Sequence, residues 1–367
     1  MSESSLERRV SRHLLKNCLR VRRGENLLVE TWNHTLEMVS TLVDEARKLG
    51  VHTMVVLEDE RAFWSAMDRK QGKLLGESSD PEWAALSKAD AYVFFWGPED
   101  RPRGERYGGA LWEQALAYNP RWYAEARAAG LRGVRIEAAR ATDPVARSLG
   151  VNGKLWRKQL LEGSLADPRS MAAAGARLAR QLKGARKLHL THRNGTDLEL
   201  KLGGTTPQIF TGLPEGPKAG PRFRLMTTAP AGSFYTTLDG QVAEGRIVAN
   251  RTSYVDNESP EAVDTWTFKD GRLVSWTFRS GKENFERRYA KGSKGKDRPG
   301  LLAIGLNDKL GEVPNMEDSE AGAIMVGVGG NRPWGGSNPS SFVGWAALQG
   351  AELTVDGKAV VRGGRVL

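Results

Sequence analysis

Residues 24–58 read GENLLVETWNHTLEMVSTLVDEARKLGVHTMVVLE, and this stretch decides the fold of the N-terminal half. Its two ends, GENLLVET and VHTMVVLE, carry short apolar runs of the length expected for buried strands. The segment between them has helical periodicity and ends at Gly50, a natural helix C-cap. A strand, a helix and a second strand in this order predict parallel strands joined by a right-handed crossover.

The same alternation continues on both sides of this unit. Apolar positions in LERRVSRHLLKNCLR recur every four residues and predict a preceding helix. The downstream elements are a helix over 80–89, a strand over 90–97, a long helix from about Trp112 to Ala129 and a strand over 132–137. Together they predict an α/β domain with a parallel sheet, which we assign to residues 1–183.

The pattern changes after the helical segment DPRSMAAAGARLARQLKGA, which marks the join between the two halves. Beyond it, short stretches alternate apolar and polar residues with period two. Three of them turn at a residue pair typical of tight hairpins: Asn194–Gly195, Asp270–Gly271 and Asp356–Gly357. Residues 184–367 are therefore predicted to form a mostly antiparallel, β-rich domain.

Composition narrows the class of protein. With 367 residues, 40% hydrophobic and 27% charged, the chain is typical of a soluble globular protein with two domains. The N-terminal MSESSLERRV lacks the apolar core of a secretory signal, and the apolar runs are too short to span a membrane. A single cysteine, Cys18, suits a reducing compartment and is expected to be a buried small hydrophobe. These features predict a cytoplasmic location and no membrane partner.

The net charge of +10 is spread along the chain rather than concentrated in one patch. No zinc-finger, helix-turn-helix or RNA-binding signature accompanies it, so a nucleic-acid partner is not predicted. The basic, glycine-containing segment GSKGKDRPG at 292–300 lacks the spacing of a phosphate-binding loop and is expected to be a surface loop.

A glycine-rich stretch near the C-terminus is the most unusual feature of the sequence. Residues 322–338 read GAIMVGVGGNRPWGGSN, and no residue in Gly322–Gly350 is acidic or a histidine. Glycine at this density indicates tight turns, or a backbone that comes close to another group. The backbone here has the features of a binding site, although the usual metal-ligating side chains are missing.

Several stretches occur in the order found in one known family. They are CLRVRRGENLLVET, LVDEARKLGVHTMVVLEDERAFW, KADAYVFFWGPED, NGTDLELKLGG, FKDGRLVSWTF, IGLN, MEDSEAGAIMVGVGGNRPWGGSN and the final LTVDG. In this order the chain resembles the M29 family of metallopeptidases, the aminopeptidase T-like group. The resemblance implies an α/β domain followed by a β-rich domain. It also implies a homodimer that encloses a cavity, and two divalent metals in the C-terminal half.

The sequence departs from this family at the metal ligands. One family glutamate, from a segment reading N-L-P-x-G-E, aligns with Pro217 or Leu225. Glu215 is close by in the sequence but does not align with it. The other family ligands are a glutamate, a histidine and a final H-x-D, and they fall on Leu301, Met325, Val343 and Trp345. All of these positions are apolar or proline. We therefore predict that the chain holds no metal and needs no cofactor.

The histidines support this prediction without any alignment. The chain has five, and all of them lie at or before residue 192: His13, His34, His52, His189 and His192. The half that carries the family's metal centre therefore has no imidazole to offer. This also counts against a histidine-dependent iron dioxygenase, a known relative on the same scaffold. His189 and His192 are predicted to point to opposite faces of a strand and to be structural.

Two sets of residues near the vacated positions remain to be interpreted. The first set is acidic and consists of Glu312, Glu317, Asp318 and Glu320. These residues are either substitute metal ligands or part of an exposed polar loop, and the exposed loop is the preferred interpretation. The second set is apolar and consists of Met325, Trp334, Phe342, Val343 and Trp345. These side chains either line a ligand pocket or fill the core. We take this second set as the candidate ligand-binding residues.

Three functions are compatible with these observations. The first is a metal-free pseudo-aminopeptidase that binds a peptide or small molecule in an enclosed cavity, within a biosynthetic pathway. The second is a catalyst of new metal-free chemistry on a peptide or amino-acid-derived substrate. The third is a working metal-dependent aminopeptidase whose ligands have moved. Whether the protein is an enzyme stays open at this point, and binding is the preferred hypothesis.

Overall fold

The computed structural model describes residues 3–214, 225–255 and 259–367. The chain forms two compact units. The first comprises Met1–Leu165 and Gly212–Pro230, and the second comprises Ala166–Thr211 and Ala231–Leu367. The predicted boundary between residues 183 and 184 differs from this division in two ways. The helix at the join belongs to the second unit, and a later segment returns to the first because it adds a strand to the parallel sheet.

The helices of the first unit are α1 Glu3–His13, α2 Leu36–Lys48, α3 Glu60–Asp68, α4 Gly72–Leu75, α5 Asp80–Lys88, α6 Gly109–Ala115, α7 Asn119–Ala128, α8 Asp143–Leu149 and α9 Gly153–Gly163. The helices of the second unit are α10 Pro168–Leu182 and α11 Lys282–Lys291. α2 is followed by Gly50 with a φ of 74°, the left-handed conformation expected after a helix end.

One predicted helix is divided. The segment from Trp112 to Ala129 contains two helices, α6 and α7, instead of one. Pro120 lies in the first turn of α7, where its missing N–H costs no hydrogen bond. In a continuous helix the same proline would be internal and would break the hydrogen-bond ladder. The break therefore follows from a residue that the periodicity argument overlooked.

The sheet of the first unit is parallel throughout, as predicted. Its strands are β1 Asn26–Trp32, β2 His52–Glu58, β3 Ala91–Phe95, β4 Arg132–Ile136 and β8 Met226–Ala229. Their order is β2-β1-β3-β4-β8, and each neighbouring pair is parallel. The last strand comes from the C-terminal half of the sequence. Met226 packs over Gly133 of β4, where any larger side chain would collide with it.

The second unit is built on a large, mainly antiparallel sheet. Its strands are β5 Leu188–His192, β6 Thr196–Leu202, β7 Gln208–Phe210, β9 Ser233–Val248, β10 Ser253–Val255, β11 Ser259–Lys269, β12 Arg272–Ser280, β13 Pro299–Gly305, β14 Ile324–Gly329, β15 Val343–Leu348, β16 Glu352–Val355, β17 Lys358–Arg362 and β18 Arg365–Val366. The main order is β15-β14-β13-β9-β6-β5-β16-β17-β18. β7 and β11 pair with β9, and β11 also pairs with β10 and β12. This architecture confirms the predicted fold class.

The three predicted hairpins are all present. They join β5 to β6, β11 to β12 and β16 to β17. At the second and third turns both central residues have positive φ, with values of 51° and 68° at Asp270–Gly271 and 46° and 83° at Asp356–Gly357. Two positive φ values are typical of the type I′ turn of a two-residue hairpin, which explains why the Asp-Gly pair located the turns correctly.

Helix α11 packs on the core of the second unit. Phe285 is fully buried there against Trp266 and Phe342. One turn further along α11, the Arg288 guanidinium donates to both carboxylate oxygens of Glu261, which is only 1% exposed. Arg288 also donates to the Val343 carbonyl oxygen at 3.0 Å. A buried ion pair thus connects α11 to β11 and to the first residue of β15.

Cys18 lies at the end of the π-helical turn Leu14–Cys18 and is buried, as predicted. Burial raises the pKa of its thiol to about 12, because the thiolate would lose its hydration there. Among the described helices, none combines the length and apolar character needed to cross a membrane.

Cys18 is therefore expected to resist alkylation in the folded protein. With a pKa of about 12 in place of about 8.5, the thiolate fraction at about pH 8 falls roughly a thousandfold. The rate of reaction with a disulfide reagent should fall by about 30-fold or more relative to the protein in denaturant, because the more basic thiolate is the better nucleophile and offsets part of its lower fraction. Between about pH 8 and 9 the native rate should rise close to tenfold, since the thiolate fraction is proportional to hydroxide well below the pKa. Rapid native labelling would contradict the burial of this side chain.

Candidate functional site

Four of the positions where the family ligands would fall lie together on one face of the second unit's sheet. Leu301 on β13 is directly opposite Gly327 on β14, which is directly opposite Trp345 on β15. Directly opposite residues of antiparallel strands point to the same face. Because Gly327 has no side chain, the Trp345 ring lies over its backbone, and a Cβ there would come within 2.7 Å of the ring.

The two remaining positions belong to the same face. Met325 is two residues before Gly327, and Val343 lies opposite Gly329, two residues after it. Met325 packs with Ala303 and Ala347 on the neighbouring strands, and Trp345 borders this small cluster. We refer to Leu301, Met325, Val343 and Trp345 as the apolar row.

The apolar row does not fit the two divalent metals that the family resemblance implies. Divalent metals are bound by carboxylate, imidazole or thiolate groups, and none of the four side chains carries one. Among the residues that the structure describes, no group of three or more such donors forms in the second unit. No reaction step through a metal can therefore be built on this face.

Tyr235 completes the face on the neighbouring strand. It lies opposite Ala303 on β9, and its ring stacks on Trp334 with centroids 5.8 Å apart. It also meets Trp345 edge to face at 6.2 Å. We refer to Tyr235, Trp334 and Trp345 as the aromatic face. These three side chains and Val343 are half-buried, so the aromatic face is partly accessible to solvent. The structure therefore brings together four of the predicted residues: Met325, Trp334, Val343 and Trp345.

Phe342, the fifth predicted residue, lies elsewhere. Its side chain is buried in the main core against Phe285 and Tyr289, with the Arg288 guanidinium 5.1 Å from its ring centroid. It precedes Val343 in the strand and points to the opposite side, as alternation along an extended chain requires. Phe342 therefore fills the core and does not contribute to the aromatic face.

The carboxylate of Asp318 lies beside the aromatic face, and both of its oxygens accept hydrogen bonds. Asp318 accepts hydrogen bonds from the Tyr235 hydroxyl at 2.5 Å, from Ser233 at 3.0 Å and from Ser319 at 3.0 Å. Burial, together with the negative charge of Asp318, raises the pKa of Tyr235 well above its ordinary value. The phenol is therefore a neutral hydrogen-bond donor at neutral pH.

The acidic loop is less exposed to solvent than the sequence predicted. Only Glu312 is exposed, whereas Glu317, Asp318 and Glu320 are half-buried. Arg251 pairs with Glu312 at 3.2 Å and lies 3.6 Å from Glu320. The expectation of an exposed loop is wrong for these three residues, because hydrogen bonds and ion pairs fold the loop back onto the sheet.

A cavity of about 860 Å³ lies beside the aromatic face. The glycine-rich loop supplies part of its wall through Asn331 and 336–339, and Thr237 of β9 supplies another part. Thr237 is opposite Leu301, so it belongs to both the cavity wall and the face that carries the apolar row. None of the five predicted ligand-binding residues lines the cavity itself.

Positive charge predominates in the cavity wall. Lys201 pairs with Asp239 at 3.0 Å, and Arg272 pairs with Asp297. Two further cations, Lys294 and Arg298, also line the wall. Both come from the segment 292–300, which was expected to be an ordinary surface loop. The wall therefore carries a net positive charge of two, which favours an anionic group.

The remaining sequence predictions can be placed briefly. His189 and His192 lie on β5, where His189 bonds Asp197 at 2.7 Å and His192 accepts from the Asn194 amide at 3.3 Å. Leu225 is buried in the core of the first unit and is therefore not part of the apolar row. Pro217 and Glu215 lie outside the described residues.

Solved structures with the same fold include two from bacteria. Wild-type AmpT from Thermus thermophilus has a TM-score of 0.70 and 15% identity, with all of both chains covered. The 2,5-dihydroxypyridine dioxygenase from Pseudomonas putida KT2440 has a TM-score of 0.61 and 16% identity, covering all of this chain and 98% of the other. No family model and no curated protein matches the sequence. The chain thus has an aminopeptidase T-like two-domain fold.

Some residues at the site escaped the sequence analysis. Tyr235, Ser233 and Thr237 belong to SFYTTL, an alternating strand whose inward face gave no chemical signal. Lys294 and Arg298 were noticed only as part of a basic loop. A register for β9 against β13 would have identified the three residues of β9, but register depends on pairing between distant segments.

Proposed function

We propose that this protein is a pseudo-aminopeptidase with the aminopeptidase T-like fold, that its second unit has no metal centre, and that it binds a peptide or small molecule there instead of hydrolysing it. The observation that carries this proposal is the apolar row, where four positions aligned with family ligands share one face and hold Leu301, Met325, Val343 and Trp345. A buried carboxylate without its metal is costly, so loss of the metal favours replacement of the whole set by apolar groups. The family resemblance further supports a homodimer, and the single cysteine supports a cytoplasmic location.

Binding is a better conclusion than new metal-free catalysis. Catalysis would need a general acid or base whose pKa is close to neutral pH. The polar pair on this face is Tyr235 with Asp318, and the raised pKa of Tyr235 keeps its proton in place. Asp318 already accepts three hydrogen bonds and holds the loop against β9. The pair is a structural and recognition element.

A relocated metal centre has no support in the second unit. The sequence has no histidine beyond His192. Among the described residues of that unit, no three carboxylate or imidazole groups lie close enough together to share an ion. We therefore do not assign to this protein the activities for which AmpT and the dioxygenase are named, although it has the same fold.

The ligand that fits this arrangement has an apolar part and a carboxylate. Trp334, Trp345 and Tyr235 offer flat apolar surface, which suits an aliphatic or aromatic side chain. Lys294 and Arg298 line the adjoining cavity and favour a negative group. A short peptide with a hydrophobic first residue and a free C-terminus combines both features.

The tripeptide Leu-Gly-Gly and its C-terminal amide are suitable probes for this proposal. We expect the protein to bind the acid without cleaving it, whether or not Zn²⁺, Co²⁺ or Mn²⁺ is added. Trp345→Ala should weaken binding by about tenfold or more, as for a buried aromatic contact. Lys294→Ala should weaken binding of the acid but not of the amide. Titration calorimetry and chromatography of the peptide measure the two outcomes.

Lys291→Ala is the matched control, because Lys291 is an exposed lysine on α11 that does not line the cavity. It should leave the affinity for both probes unchanged. Metal-dependent hydrolysis of the peptide would overturn the proposal. Equal binding by wild type and by a folded Trp345→Ala variant would remove the apolar face from the site.

A further inference from the structure

Three potential metal ligands follow the ends of three adjacent strands in the first unit. His34 lies two residues after β1, Glu60 two residues after β2 and Glu99 four residues after β3. In the order β2-β1-β3-β4 the connection from β1 to β2 runs one way along the sheet and the connection from β3 to β4 runs the other way, so the direction switches between β1 and β3. In open parallel sheets, the crevice at the carboxyl ends of the strands at such a point is the usual ligand site.

The three side chains are close enough to share one ion. One ring nitrogen of His34 and one carboxylate oxygen from each of Glu60 and Glu99 all lie within 4.8 Å of one another. In a tetrahedral site with bonds of about 2.0–2.2 Å, donors are about 3.3–3.6 Å apart. Rotation of the exposed Glu99 side chain can close this gap. His34 and Glu60 are half-buried, so the group also has an open side by which an ion enters.

The hydrogen bonding of His34 leaves one ring nitrogen available. Its Nε2 lies 3.1 Å from the Ala139 carbonyl oxygen, which can only accept, so Nε2 carries the proton. Nδ1 is then an unprotonated acceptor, and it is buried without a hydrogen-bond partner. An imidazole that donates to a backbone carbonyl through one nitrogen and offers the other is the usual form of a metal-binding histidine.

Hydrogen bonds connect the start of α3, which carries Glu60, to the loop that carries Glu99. Glu60 accepts from the Trp64 indole at 3.0 Å and from the backbone amides of Glu99 at 2.8 Å and Asp100 at 3.0 Å. Asn33, next to His34, accepts from the Glu60 amide at 2.7 Å. The positions of the three ligand-bearing segments are therefore coupled to one another before any ion binds.

We propose that His34, Glu60 and Glu99 form a binding site for one divalent transition-metal ion, with Zn²⁺ as the best match. One imidazole and two carboxylates suit Zn²⁺ or its neighbours better than Mg²⁺ or Ca²⁺, which prefer oxygen ligands alone. The two carboxylates balance the charge of the ion. Three protein ligands leave one position for water or for an acidic ligand, as in zinc sites that are not purely structural.

This site is separate from the face that carries the apolar row. It lies wholly in the first unit, whereas the prediction that the chain holds no metal rested on the C-terminal half of the sequence. Replacement of the family ligands in the second unit therefore has no bearing on it. The two proposals are tested by different variants and can fail independently.

Isothermal titration of metal-free full-length protein with ZnCl₂ tests the site. The wild type should bind one Zn²⁺ per chain and gain thermal stability as it does so. His34→Ala should lose this binding by at least about 100-fold, and Glu99→Gln should weaken it by about tenfold or more. Glu99 is exposed, so its replacement does not threaten the fold. Co²⁺ loading should give a visible spectrum that both variants lose.

His52→Ala is the matched control, because His52 is an exposed histidine at the opposite end of β2. It should bind Zn²⁺ as the wild type does, and so should Trp345→Ala in the second unit. Absence of stoichiometric binding in the wild type would overturn the proposal. Unchanged binding by His34→Ala and Glu99→Gln, with native circular dichroism, would also overturn it and would locate the ion elsewhere.

Discussion

Replacing Arg288 by alanine is expected to lower the free energy of unfolding by about 3–5 kcal/mol, the usual cost of leaving a buried charge without its partner. Glu261 is 1% exposed, and both of its carboxylate oxygens accept from the Arg288 guanidinium. The Asn284 amide also donates to this carboxylate, at 2.9 Å, but a neutral donor compensates less of a buried negative charge than a guanidinium does. The Val343 carbonyl oxygen also loses a donor, so β15 should loosen where the apolar row begins.

Arg287→Ala serves as the matched control, because the neighbouring arginine is exposed and its side chain donates to Asn284. It should change stability by less than about 0.5 kcal/mol. A second comparison replaces Arg288 and Glu261 together by methionine, which should recover most of the loss. Urea unfolding at neutral pH measures all of these variants. A small effect of Arg288→Ala would mean that Glu261 is protonated or reached by water.

Gly329→Ala is expected to cost about 3 kcal/mol or more. Gly329 has a φ of 99°, a region in which other residues are strained by about 1–3 kcal/mol. A Cβ at this position would also overlap the carbonyl oxygen of Phe342, which belongs to the facing backbone and cannot rotate away. The backbone strain and the steric overlap add to one another. A backbone shift that relieved either of them would break the pairing of β14 with β15.

Gly335→Ala separates these two causes. Gly335 has a similar φ of 85°, but a Cβ there would meet only the Thr205 methyl group at 4.0 Å. This variant should therefore cost only about 1–2 kcal/mol, from the strain alone. Thermal and urea unfolding of both variants measure the difference. Equal losses would show that the close backbone approach at Gly329 relaxes without cost.

The same glycines explain the unusual stretch at 322–338. Gly327 accommodates the Trp345 ring, and Gly329 and Gly330 allow the backbones near Phe342 and Ser340 to approach closely. These requirements come from the fold itself and persist whatever the site binds. The glycine pattern is thus a guide to backbone geometry, whereas the chemistry of the site depends on the side chains around it.

Periodicity and turn residues were sufficient to predict most of the architecture. The alternation in residues 24–58 located β1, α2 and β2, and the Asp-Gly pairs located two hairpins, because each signal is local. Strand β8 was missed as part of the first sheet, since MTTA is short and follows the predicted domain boundary. Only its pairing with β4 reveals where it belongs.

The sites were less predictable because they depend on which distant segments meet. His34, Glu60 and Glu99 carry no motif, and strand order alone brings them together. Tyr235 and Asp318 are likewise far apart in sequence and meet only through the folded acidic loop. The apolar row could be predicted from the sequence, because the resemblance to a known family specified which positions to compare.

The return of β8 to the first sheet has a consequence for synthesis on the ribosome. β4 ends at Ile136, whereas its partner β8 begins at Met226, roughly 90 residues later. At typical elongation rates the nascent chain therefore exposes the unpaired edge of β4 for about 5–20 s. During that interval the edge can pair with other strands, so a chaperone or the rest of the nascent chain must protect it. Expression of residues 1–183 alone would make this exposure permanent, and such a fragment should aggregate.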